Sequence, residues 1–262
     1  MRVGSLPWLA ALTSIMVLPA SGVAGGGTQR LVPVKEYPRA KAGGRPAAKS
    51  PSTHSRRPAA FQGTNIVLNG GFESNGGVGT NVFTDWTVEN LFGGTGDWLV
   101  QTGTASPMNG FPVDPPPEGA FAAMTDQPGP GTHVLHQVLQ VPAAGVILTC
   151  EVFVNNLAGV YFNPGSLDFN VFPNQHTRID IMDPAAPIDD VGAGVLLNMF
   201  VTNPGAPAVI PYTLVTADLT PFAGLPVRLR VAEVDNQGNM NVGVDNCSST
   251  DVPVELMGFS VE

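Results

Sequence analysis

The chain has 262 residues, 43% of them hydrophobic and 13% charged, enough apolar material for a sizeable core under a mostly uncharged polar surface. Charge is unevenly placed: residues 61–262 contain no lysine and only Arg178, Arg228 and Arg230, against twenty carboxylates, a balance of −17. Such a surface repels phosphate backbones and argues against nucleic acid as a partner; it attracts cations, calcium among them, or simply keeps an exported protein soluble.

Residues 1–24 read as a secretory signal peptide. Arg2 supplies a positive start, Leu6 to Leu18 is a mostly apolar run too short to span a bilayer, and the small residues Ala20, Ser21, Gly22 and Ala24 follow it. No other stretch reaches membrane-spanning length, so the mature chain is expected to be soluble, without a membrane span, and secreted to an extracellular or periplasmic location. Residues 25–60 hold eight basic residues against Glu36 alone, among Pro, Ala, Gly and Ser. A disordered linker is expected there, either a plain spacer or propeptide or an electrostatic tether to an anionic envelope or to the acidic domain itself.

From residue 61 onward, 61–262 reads as one domain of short strands. The 31 glycines and 25 prolines of the chain suit many turns and oppose long helices. Strands are predicted at Asn65–Leu68, Ala120–Thr125, Val134–Val141, Val146–Asn155, Thr177–Met182, Val195–Thr202, Tyr212–Ala217, Val227–Val234 and Val242–Asn246. Val227, Leu229 and Val231 alternate with Arg228 and Arg230, and Ile179 and Ile181 with Arg178 and Asp180, the period of half-buried strands. Pro115-Pro116-Pro117-Glu118-Gly119, Gly129-Pro130-Gly131, Asn203-Pro204-Gly205 and Asp235-Asn236-Gln237-Gly238 supply turns between them. Many strands without intervening helices predict an all-β, antiparallel β-sandwich or jelly roll.

The stretch Asn69-Gly70-Gly71-Phe72-Glu73, then Trp86, then Gly243-Val244-Asp245-Asn246, resembles the two ends of galactose-binding-like β-sandwich domains, a group that includes many carbohydrate-binding modules of secreted bacterial proteins. The resemblance covers about residues 65–247. It implies a glycan or a cell-envelope component as partner, and a structural calcium held by Glu73 and Asp245. Calcium takes six to eight oxygens, so further ligands such as backbone carbonyls would be needed. The ending Val252-Pro253-Val254-Glu255-Leu256 is similar to junctions that precede C-terminal sorting tails, although neither a hydrophobic anchor nor a basic cluster follows it.

Cys150 and Cys247 are the two cysteines, either bridged, as an exported chain allows, or buried as separate thiols. His133 and His136 stand three apart on a predicted strand and so point to opposite faces, which opposes joint chelation of one ion. The chain has no Gly-x-Ser-x-Gly elbow, Gly93-Gly94-Thr95-Gly96 lacks the lysine of a phosphate loop, and His176 has no evident nucleophile beside it. The expected function is therefore a secreted, non-catalytic glycan-binding or envelope and matrix module. Trp98, Tyr161 and Phe162 are the candidate sugar-stacking aromatics, with core packing as their alternative role. The competing expectation is a hydrolase or lyase acting on glycans from the same scaffold, which would need two facing carboxylates.

Overall fold

The computed structural model describes residues 65–252. The signal peptide, the basic linker and the ending after Val252 lie outside the described residues. Ten strands form two sheets: β1 (Thr87–Asn90), β2 (Asp97–Gln101), β3 (Ala122–Asp126), β4 (Gly131–Gln140), β5 (Val146–Asn156), β6 (Gln175–Met182), β7 (Val195–Val201), β8 (Val209–Asp218), β9 (Pro226–Asp235) and β10 (Met240–Asp251). One sheet has the order β1-β4-β9-β6-β7, the other β2-β3-β10-β5-β8. Every pairing is antiparallel. The described domain is thus an antiparallel β-sandwich whose chain crosses repeatedly between sheets. Among the described residues the only helical turn is a 3-10 turn at Thr220–Phe222.

The core follows from period-two alternation. Leu135, Ile179, Ile181, Leu229 and Val231 of the first sheet face Val100, Leu148, Val152, Val242 and Val244 of the second in one buried cluster. Phe72, Phe83 and Trp86 close one part of it, Phe72 edge-on to Phe83 at 5.6 Å and tilted against Trp86 at 5.1 Å.

Asn65–Leu68 forms no strand. Its amides are taken instead by side chains of both sheets: Ile66 N–H donates to Ser249 Oγ of β10 and Leu68 N–H to Gln137 Oε1 of β4. The segment crosses between the sheets and joins neither ladder. The next turn, at 69–72, uses left-handed backbone. The positive φ values fall on Asn69 and Phe72 rather than on Gly70 and Gly71. Gly70 is required by close approach: a Cβ there would stand 1.8 Å from the Cys247 carbonyl oxygen.

The alternating arginine strands are buried on both faces, not half-buried. Arg178, Asp180 and Arg230 are all buried, because the connections at 157–174 and 183–194 lie over that face. Arg178 donates to the Pro164 carbonyl, and Arg230 to those of Ile188 and Asp190. Beside them Val134, Leu167, Ala232 and Val234 make a second, smaller apolar cluster with Phe169, Ile188 and Val191.

Candidate functional site

The sandwich brings the two ends of the domain together. β10 pairs with β5, and the register slips between Asp245 and Ser248. In that bulge Asn246 takes φ 48° and Cys247 turns towards Cys150, to which it is joined by a disulfide with a Cα separation of 4.0 Å. Cys247 N–H also donates to the Gly70 carbonyl, so the bulge holds the entry turn against the last strand.

This joint gathers three carboxylates. Glu73 Oε1 accepts from the Ala120 and Phe121 amides at 2.7 and 2.9 Å. Asp245 Oδ2 accepts from the Glu118 amide at 3.1 Å, and its Oδ1 from Asn246 at 2.7 Å. Glu118 Oε2 sits against Gly71, where a Cβ would come within 1.9 Å. Burial pushes the Asp245 carboxyl up to about 7, and the charges of Glu118 and Glu73 push the same way against the two amide bonds. Glu73 and Asp245 therefore both accept from amides of the 118–121 segment. Glu118 is a third member that sequence reading used only as part of a turn; its place in a Pro-rich loop gave no sign of facing Asp245.

The candidate sugar-stacking aromatics are placed differently from expectation. Trp98 is wholly buried and Tyr161 nearly so, both within the main core cluster. Tyr161 uses its hydroxyl to donate to the Pro207 carbonyl. Phe162 is half-buried and bridges to Gln175. Alternation explains Trp98: it shares an inward face with Val100 on a strand, β2, that sequence reading left out. Neither buried ring offers a face to a ligand.

A different aromatic does. Phe172 is 75% exposed, at the tip of the turn before β6. That turn is pinned by Asn236, whose Nδ2 donates to the Phe169 and Val171 carbonyls while its Oδ1 accepts from Asn174 N–H. Asn236 also lines a recess of about 220 Å³ together with Gly129, Pro130, Asp235, Gln237, Gly238 and Asn239. The recess is rich in amide side chains and sits where β9 leaves one sheet and β10 enters the other.

The histidines fall as their spacing requires. His136 faces outward and bonds Glu89 Oε1 at 2.9 Å, whereas His133 points into the sandwich. His176 is buried against Asn174, and burial pulls it down to about 3, so it stays neutral. Among the described residues, the one group of three His, Cys, Asp or Glu side chains whose ligand atoms lie within 4.8 Å of one another is His133, Glu233 and Asp235. Glu73, Glu118 and Asp245 are spread wider than that.

No protein-family model and no curated protein sequence matches the chain. In structure the chain is similar to the K3 cleaved adhesin domain of Lys-gingipain from Porphyromonas gingivalis, at 15% identity and TM-score 0.44, covering 72% of this chain and 100% of that one. It is also similar to the carbohydrate-binding module TmCBM61, solved with β-1,4-galactotriose, at 14% identity and TM-score 0.40, covering 72% and 99%. A family 4 carbohydrate-binding module aligns at 12% identity and TM-score 0.35, covering 71% and 99%.

Proposed function

We propose that the chain is an exported, non-catalytic sandwich that binds a neutral glycan, free or in a cell envelope or matrix, and is stabilised by calcium. The observation that supports the glycan reading is the exposed Phe172 ring, on a turn whose Phe169 and Val171 carbonyls are held by Asn236, a residue that also lines the amide-rich recess. Sugars present an apolar C–H face and a rim of hydroxyls. An exposed ring meets the first need, and amide side chains of the kind that line the recess meet the second. Export is supported by the signal-like residues 1–24 and by the disulfide, which forms and persists in oxidising compartments. At the recess binding is favoured over cleavage, because Asp235 is the one carboxylate that lines it and glycoside hydrolysis uses two.

A glycan array probed with the full chain tests this reading. At least one neutral glycan class should bind, and Phe172→Ala should weaken that binding about tenfold, the equivalent of 1.4 kcal/mol. A folded wild type silent across the array, or undiminished binding by Phe172→Ala, overturns it.

Calcium at Glu73, Glu118 and Asp245 is the second part of the proposal. Three hard carboxylate donors on a turn, a loop and a strand suit an ion that accepts irregular oxygen cages. At free calcium a hundredfold above its dissociation constant, stability should rise by roughly 2.7 kcal/mol. Without calcium the sign reverses at Asp245. Its pKa is raised on folding, so its contribution is fully present below about pH 4 and is lost as pH rises through about 7. In chelator at pH 8, Asp245→Asn should therefore be more stable than wild type, by about 1–2 kcal/mol once the lost bond from the Glu118 amide is subtracted. In excess calcium the order should invert. Thermal unfolding at both conditions reads this directly; a wild type indifferent to chelator removes calcium from the proposal.

A further inference from the structure

At the end of the sandwich interior, β4 and β9 place His133 directly opposite Glu233, and Gly131 opposite Asp235. Glu233 and Asp235 are two apart on β9 and so share the inward face. His133 and Glu233 are wholly buried and Asp235 nearly so. His133 Nδ1 lies 2.8 Å from Asn90 Oδ1, an acceptor, which fixes the ring with its proton on Nδ1 and its lone pair on Nε2. That Nε2 has no hydrogen-bond partner, and neither does either oxygen of Glu233. The Nε2 to Oε2 distance is 3.9 Å, too long for a hydrogen bond but short enough for both atoms to share one ion.

A buried carboxylate with two unpartnered oxygens, facing an unpartnered imidazole nitrogen, is costly unless something bridges them. The geometry points to a divalent transition-metal site, with zinc the best fit, formed by His133 Nε2, Glu233 and Asp235. The mix of one imidazole and two carboxylates selects zinc over calcium, which prefers oxygen alone. The surroundings have the features of a built site. The Asn90 bond orients the histidine from behind, and Asp235 is held by the Gly131 amide at 3.0 Å and by Gln127 Nε2 at 2.8 Å. Gln127 Oε1 is a further buried oxygen without a partner. Asp235 also lines the 220 Å³ recess, which gives an ion a way in. Gly131 is needed for this closeness, because a Cβ there would stand 2.6 Å from both His133 Nε2 and the Thr95 carbonyl.

The inference does not rest on the glycan reading, and it concerns a site separate from Glu73 and Asp245. The test strips the full chain with chelator, then titrates it with zinc chloride alone and measures metal retained after desalting. Wild type should retain one zinc per chain. Glu233→Gln and His133→Gln should each lower affinity at least about tenfold, while Glu73→Gln and Phe172→Ala should leave it unchanged. Glu233→Gln removes an unpartnered charge, so its metal-free form should fold at least as stably as wild type, which circular dichroism on heating checks. Nitrogen NMR of the histidines supplies an independent reading: zinc should shift Nε2 of His133 while Nδ1 keeps its proton. Equal zinc retention by wild type and Glu233→Gln overturns the proposal. So does an Nε2 of His133 found to carry a proton when zinc is present.

Discussion

Replacing Cys150 and Cys247 together by alanine should lower the free energy of unfolding by about 4–5 kcal/mol. The bond closes a loop of 97 residues, and a loop of roughly that length carries about 4.7 kcal/mol of closure entropy in the unfolded chain. For a urea slope of about 2 kcal/mol/M, the midpoint should fall by about 2 M. The effect reaches the candidate calcium site. Cys247 lies in the bulge that follows Asp245 and donates its amide to Gly70 of the entry turn. Loss of the bridge should therefore also blunt the proposed response to calcium, by loosening the Asp245 side of the joint against the Glu73 side. Identical urea midpoints for the double variant and wild type would show that the bridge contributes nothing to stability.

Removing the Asp180 carboxylate should cost about 3–5 kcal/mol, the usual result of leaving buried charge without its partner. Asp180 accepts from Arg178 through Nε and Nη2, at 2.7 and 3.1 Å, and from Arg230 through Nε at 3.2 Å and through Nη2. Burial pulls the Arg230 guanidinium below its usual value, and the Asp180 charge opposes that pull. Asp180→Ala would strand two cations under the covering loops. Replacing Arg178, Asp180 and Arg230 together by apolar residues of similar size should cost far less, because no charge is then left unpaired. Thermal unfolding of the single and triple variants separates the two; equal losses would mean that packing, not charge, dominates. Arg178 also holds the Pro164 carbonyl of the connection that carries Phe172. The single variant should therefore weaken the proposed glycan binding as well as the fold.

Alternation and turn chemistry in the sequence determined eight of the ten strands to within a few residues, since both are local properties of the chain. Alternation also determined that His133 and His136 face opposite ways. β1 and β2 escaped because Thr87–Asn90 and Asp97–Gln101 are short and flank a Gly-rich turn, with little periodicity to read. Only the tertiary structure decided what covers each face. Arg228 and Arg230 alternate with valine and leucine as on any half-exposed strand, yet loops from distant parts of the chain close over them. Trp98 reads either as a sugar-stacking aromatic or as a core residue until β2 is seen to lie against β3. Asn65–Leu68 has the composition of a strand, but Ser249 and Gln137 supply its partners instead of a ladder. The same reason hid the inward cluster. His133 and Glu233 are a hundred residues apart in the chain, and their meeting depends on the register of β4 against β9, which no local pattern encodes.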